Sequence, residues 1–229
     1  MLFALPAGAD EDRPAKPNVV LLLTDDLGWQ DVKCYDNEVI VNPANEKELN
    51  VPKPGKNIAV VEKRSKAAYL VTKQSHGDIE AVIEFMVPKG SNSGIYFMGR
   101  YEIQVFDSFA KADVEHSDCG GIYQRWGKNK DNGQPPRVNA STAPGTWQKF
   151  EVVFRAPRFD ENGSKTENAK FIKVVHNGQL IHENAEVTGP TRAAMKGSLP
   201  EETMGPIRIQ GDHGPVAYRT FKIKHVQLD

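Results

Sequence analysis

The sequence is poor in the features that identify many protein classes at once. It has two cysteines in 229 residues, Cys34 and Cys119. Their wide spacing fits neither a zinc-ligand pattern nor a disulfide framework, and gives no sign that the two approach each other. No apolar run comes near the ~20 residues of a membrane span. Charge of one sign is also missing: 29 Lys and Arg stand against 30 Asp and Glu. No overall basic field would therefore draw the chain to nucleic acid or to an anionic membrane. An uncharged ligand such as a sugar fits that balance better. Helical periodicity is nearly absent as well.

What is present is β-branched and aromatic residues in short runs, separated by glycine, proline or asparagine. Strands are expected at residues 58–62, 69–72, 78–86, 93–98, 101–106, 121–124, 148–155, 170–176, 179–183, 207–210 and 217–226. In the strand at 148–155, Phe150, Val152 and Phe154 fall on one side while Lys149, Glu151 and Arg155 fall on the other. Asn177-Gly178 marks a hairpin, since both turn positions need a positive φ that these residues tolerate. About ten such strands, each with one apolar face to cover, make an all-β two-sheet sandwich.

The chain divides into three parts on composition. Residues 1–17, rich in alanine, proline and acidic residues, read as a disordered tail or the remnant of an export signal, with an Ala-x-Ala end at Ala7-Gly8-Ala9. That remnant would suit a periplasmic or secreted protein. Residues 18–56 begin with a short apolar run, Val19–Leu23, and end in a proline-rich connection, 42–56. Residues 57–229 hold the sandwich. The coil at 125–145 is too long for an ordinary connection and is a candidate ligand-contacting loop.

Several side chains stand out as candidates for chemistry. Arg100, Glu102 and Gln104 lie two apart on one strand and share a face, with Tyr101, Ile103 and Val105 facing the core. Asp107 has the other parity and joins them only if the strand end turns it. Asp212-His213-Gly214 follows a strand and precedes Pro215, which puts an imidazole able to move protons near neutral pH on a constrained turn. Tyr96, Tyr123, Trp126 and Trp147 can stack on sugar rings, Trp126 at the head of the long loop being the best placed.

Two resemblances sharpen these expectations. Lys16–Trp29, followed by Asp31 and Cys34-Tyr35, resembles the opening of a sulfatase over residues 13–36, with Asp25 and Asp26 where that family ligates a divalent cation. The family's Cys/Ser-x-Pro-x-Arg nucleophile segment has no counterpart: Cys34 precedes Tyr35-Asp36 and Cys119 precedes Gly120-Gly121. Sulfatase chemistry is therefore not expected.

The second resemblance is longer. Asn92–Tyr96, Gly99–Ser108, Cys119–Tyr123, Pro144–Gln148, Phe154–Asp160, His176–Gly178, Gly205–Gln210 and Asp212–Gly214 occur in the order seen in the 3-keto-disaccharide hydrolase family. The family's usual opening segment is replaced here by the sulfatase-like residues. The resemblance implies a concanavalin A-like jelly roll and cleavage of glycosides or disaccharides oxidised at C3. The implied partner is an oxidised mono- or disaccharide. Such a site needs a base, a group to hold enolate charge, and an acid for the leaving oxygen. His213 or Glu102 would be the base, and Arg100 or a bound divalent cation would hold the enolate. Gln104, Asp107, Tyr123, Trp126 and Asp212 would contact substrate. Two other readings stay open at this point: a non-catalytic carbohydrate-binding module, and a sulfatase-derived fragment that only binds metal.

Overall fold

The computed structural model describes residues 21–23, 32–35, 39–50, 58–61, 69–125, 133–195 and 199–229, with backbone alone at 21–23, 32–35 and 58–59. The described residues hold strands and no helix, and hence no helix long and apolar enough to cross a membrane. In chain order the strands are β1 Leu21–Leu23, β2 Val32–Tyr35, β3 Ile40–Asn42, β4 Asn45–Asn50, β5 Ile58–Val61, β6 Tyr69–His76, β7 Ile79–Met86 and β8 Asn92–Phe97. Then follow β9 Tyr101–Phe106, β10 Gln148–Arg155, β11 Arg158–Phe159, β12 Lys165–Glu167, β13 Ala169–His176, β14 Gln179–Val187, β15 Gly205–Gln210 and β16 Val216–His225.

Two antiparallel sheets form the jelly-roll sandwich. One is five-stranded in the order β1-β6-β15-β8-β9, and the other seven-stranded in the order β14-β13-β10-β7-β16-β5-β2. The alternation in the sequence sets which face turns inward. Phe150, Val152 and Phe154 of β10, with Ile79, Ala81, Ile83 and Phe85 of β7, meet Ile95, Phe97, Tyr101, Ile103, Val105, Ile207 and Ile209 from the five-stranded sheet. Full burial of each of the larger aliphatic and Phe side chains contributes roughly 1.5–3 kcal/mol. At the centre Phe97, Phe154 and Phe171 pack with ring centroids 5.1–5.3 Å apart. Asn177 and Gly178 both carry positive φ, 48° and 81°, and join β13 to β14 as the expected hairpin.

Part of the stretch expected to be a connection is instead the ribbon β3–β4. Its turn is closed by side chains: Asn42 Oδ1 accepts from Ala44 N and Asn45 Oδ1 from Lys47 N. Val39 and Leu49 then bury against Val60, Met86 and Ala217 in a small second core. The polar residues that hid these strands point outward, where they cost nothing. Residues 121–124, expected as a strand, form an isolated bridge between Ile122 and Ile103 at the edge of β9.

Cys119 is a buried free thiol, its pKa pushed up to about 12 by burial. The side chain of Cys34 lies outside the described residues, as do Asp25, Asp26 and Trp126.

Candidate active site

The outer face of the five-stranded sheet carries a row of polar and aromatic side chains. Ile207 and Ile209 of β15 face the core, so Arg208 and Gln210 face the other way, as Glu102 and Gln104 do on β9. Register aligns them: Arg208 pairs with Tyr96, and Tyr96 with Glu102. The bridge of Ile103 with Ile122 brings Tyr123 alongside Glu102, whose carbonyl accepts from Tyr123 N at 3.1 Å. Tyr123, Glu102, Tyr96 and Arg208 thus form one line across four chain segments. A second line, with Gln104 opposite Gly94, runs parallel to it.

Glu102 is the centre of this surface. It is 2% exposed, and its carboxyl group lies over Gly94, where a Cβ would fall 2.0 Å from Oε1. Only glycine leaves that space. Burial raises its pKa to about 8, against the opposing pull of the Tyr96 hydroxyl and Arg208; the charge of Asp212 raises it further. At neutral pH Glu102 is therefore mostly a carboxylic acid with a proton to donate.

Beyond the end of β15 stands a hydrogen-bonded set. His213 Nδ1 lies 2.6 Å from Asp212 Oδ1 and 3.1 Å from Gln210 Nε2. One ring nitrogen cannot both donate to the carboxylate and accept from the amide. The carboxylate is the stronger acceptor, so Nδ1 carries the proton and Nε2 is left free to accept one. The other Asp212 oxygen accepts from Tyr69 at 3.1 Å. Burial raises the Tyr69 pKa, so its hydroxyl keeps its proton. The Arg208 guanidinium stacks 3.7 Å from the centre of the Tyr69 ring and 4.8 Å from that of Tyr96. The side chain of His213 is about half exposed, open to a ligand.

Of the residues expected from sequence, Glu102, Gln104, Tyr123, Asp212 and His213 belong to this face or its rim. Gln104 donates to Asn92 Oδ1 at 3.0 Å. Arg100 does not join them. Strand β9 begins one residue later, and the Arg100 guanidinium donates to the carbonyls of Leu199 and Pro200 and pairs with Glu202, lining a cavity of about 460 Å³ with Met195, Met204 and Pro206. Asp107 is also elsewhere. It accepts from Gly90 N and Phe109 N, closing the loop after β9. Trp147 lies under the Arg219 guanidinium beside the second core. The described part of the 125–145 coil packs as structure, with Arg137 N donating to Ile181 O and Asn139 donating to the carbonyls of Ser108 and Lys111.

Sequence reasoning missed Tyr69, Asn92, Arg208 and Gln210 as site residues. Applying to β15 the alternation used for β9 would have found Arg208 and Gln210, because Ile207 and Ile209 flank them. Tyr69 had no such signal, since its partner Asp212 is 143 residues away. Among the described residues no group of three or more His, Cys, Asp or Glu side chains is set to hold a metal ion.

A jelly roll that gathers a protonated carboxylic acid, a carboxylate-bound imidazole, amides and tyrosines on one sheet face has the build of a carbohydrate-active protein. The chain belongs to the family of 3-keto-alpha-glucoside-1,2-lyase-like domains, whose model matches residues 27–224. It resembles the crystal structure of a "putative glycosyl hydrolase" from Parabacteroides distasonis ATCC 8503, with 26% identity and a TM-score of 0.63, over 76% of this chain and 74% of that one. A second protein of that organism, described in the same words, shares the fold at 19% identity and a TM-score of 0.51, over 75% and 88% of the two chains. No curated protein matches the chain.

Proposed function

We propose that the protein cleaves 3-keto-glycosides and 3-keto-disaccharides by elimination followed by hydration, and that it has no sulfatase activity. The observation that carries this reading is the buried carboxyl group of Glu102 on the same sheet face as an imidazole held by Asp212. A ketone at C3 acidifies the C2 proton. His213 Nε2 takes that proton, and the C2–H electron pair forms the enolate. As the enolate collapses to the C1=C2 double bond, the C1–O bond breaks and the leaving oxygen takes its proton from Glu102. Water then adds, OH to C1 and H to C2, so the net change is hydrolysis. Arg208, whose charge acts on Glu102, takes the enolate-holding role that the sequence suggests for Arg100. Gln104, Asn92 and Tyr123 would hold the sugar hydroxyls and ring.

One observation favours a second reading, direct hydrolysis of an unoxidised glycoside. The sequence offers Glu102 no carboxylate neighbour on its own strand, yet Asp212 reaches the same face from beyond β15 and its charge acts on Glu102. The deciding experiment supplies a 3-keto-disaccharide, its unoxidised parent and an aryl sulfate in deuterium oxide. Cleavage of the keto sugar alone, with deuterium at C2, is expected. Cleavage of the parent without deuterium at C2 would establish direct hydrolysis instead. Binding without turnover would make the domain a carbohydrate-binding module, and turnover of the sulfate would refute the reading.

A further inference from the structure

One backbone segment reaches over the edge of the active face. Thr191–Met195 leaves the end of β14 and is tied first to β9: Thr191 N and Oγ1 both donate to Arg100 O, at 2.8 and 2.9 Å, and Thr191 Oγ1 accepts from Glu102 N at 3.1 Å. Arg192 N donates to Gln124 O at 2.8 Å. The next two carbonyls meet the tips of side chains standing on the sheet. Arg192 O is 3.4 Å from the Tyr96 hydroxyl on β8, and Ala193 O accepts from Arg208 Nη1 on β15 at 2.6 Å. The segment then returns to the β8–β9 turn, where Met195 N donates to Gly99 O at 2.7 Å.

These contacts fix its path. Two residues separate Thr191 at the β9 edge from Ala193, about 7 Å at full extension, so the segment covers the β9–β8 side of the face and the long Arg208 side chain reaches from β15 to meet it. It runs level with the tips of Tyr96 and Arg208. Ala193 holds a φ of 60°, a left-handed conformation that costs a residue with a Cβ free energy, which the bonds on either side maintain. On β6 the Tyr69 ring stacked on Arg208 prolongs the barrier. On the other side of Glu102 the tips of Gln104 and Gln210 meet side chains, Asn92 and His213, rather than backbone.

We infer that the Thr191–Met195 strap, with Tyr96, Arg208 and Tyr69, closes one end of the cleft, so that the oxidised ring is accepted only as the terminal unit of a saccharide. This rests on the proposed reaction at Glu102 and His213. The oxidised ring lies against the barrier, and its C1 substituent extends the other way, over Gly94, Gln104 and Asn92. A second sugar on the far side of the oxidised ring would have to occupy the volume of the strap. Chain length on the leaving side is unrestricted by this barrier.

The test compares two trisaccharides with the wild-type protein, one with its non-reducing terminal ring oxidised at C3 and one with its central ring oxidised. A 3-keto-disaccharide serves as reference. Cleavage of the terminally oxidised trisaccharide within about tenfold of the disaccharide is expected, with the centrally oxidised one at least ~100-fold slower in kcat/KM, the scale of loss that follows from a misplaced reacting centre. Equal cleavage of both trisaccharides would overturn the strap's role and leave the reaction standing. If none is cleaved, the reaction is wrong, and affinity decides the strap's role: tighter binding of the terminally oxidised trisaccharide sustains it, and equal dissociation constants by calorimetry refute it.

Discussion

The two faces of the five-stranded sheet are almost equally hidden from water and entirely unlike in chemistry. On the inner face Ile95, Phe97, Ile103, Val105, Ile207 and Ile209 are 0–2% exposed. On the outer face Tyr96, Glu102, Gln104, Arg208 and Gln210 are 1–8% exposed. The apolar set is a stability device, because each side chain gains by leaving water. Burial of the polar set gives no comparable return. Burying a carboxyl group costs free energy that packing does not return, and perturbed groups of this kind cluster at functional sites. Strand β9 thus carries a different chemistry on each face, each set repeating every two residues.

This contrast can be broken most sharply at His213. Its side chain is about half exposed, so His213→Ala should leave the melting temperature nearly unchanged while lowering kcat/KM on a 3-keto-disaccharide by roughly 10²–10⁴. Parallel losses of both would instead make His213 a structural residue. The faces should also differ in how pH affects stability. The folded-state pKa of Glu102 is raised from 4.5 to about 8, so the folded protein holds a proton that the unfolded chain releases. The contribution of Glu102 to stability therefore falls as pH rises from about 4.5 to about 8, by on the order of 4 kcal/mol.

His76 and His176, buried among the core aromatics, act in the opposite direction. Burial lowers both to about 4 from an ordinary 6.5, so the unfolded chain takes up protons first on acidification. Their contribution is intact above about pH 6.5 and is lost as pH falls toward about 4, roughly 3 kcal/mol each. Urea titrations across pH should show the Glu102 slope vanish in Glu102→Gln and the acid limb remain. On the inner face, Phe154→Ala should cost roughly 3–5 kcal/mol in the same titrations, without changing kcat per folded molecule. The smallest effect is expected at Tyr69, which acts through Asp212. Tyr69→Phe removes one hydrogen bond to the carboxylate, making Asp212 a stronger partner for imidazolium. The expected loss in kcat/KM is about tenfold, with little change in stability.

The sequence made the inner face easy to read and the outer face only partly so. Hydrophobic alternation is local, so β7, β9, β10 and the Asn177-Gly178 hairpin follow from short windows. Glu102 and Gln104 were legible for the same reason, as polar breaks in an apolar strand. Arg100 shares their spacing but precedes the strand, and spacing alone cannot show where a strand begins. The partners of Glu102 come from β8, β15 and the turn after β15, a convergence set by sheet order rather than by any local pattern. The strap is hidden more deeply still: Thr191–Met195 works through backbone carbonyls, whose positions leave no mark on residue identity. Ribbon β3–β4 escaped because its outward polar residues and flanking prolines outweighed Val39 and Leu49.

The most direct test of the contrast between the two faces is Glu102→Gln, assayed for both turnover of a 3-keto-disaccharide and unfolding free energy at about pH 8. The expected result is a loss of at least ~100-fold in kcat/KM, with a protein as stable as wild type or more so. Retained turnover with reduced stability would show that Glu102 is buried for structure and that the outer face does not carry the reaction.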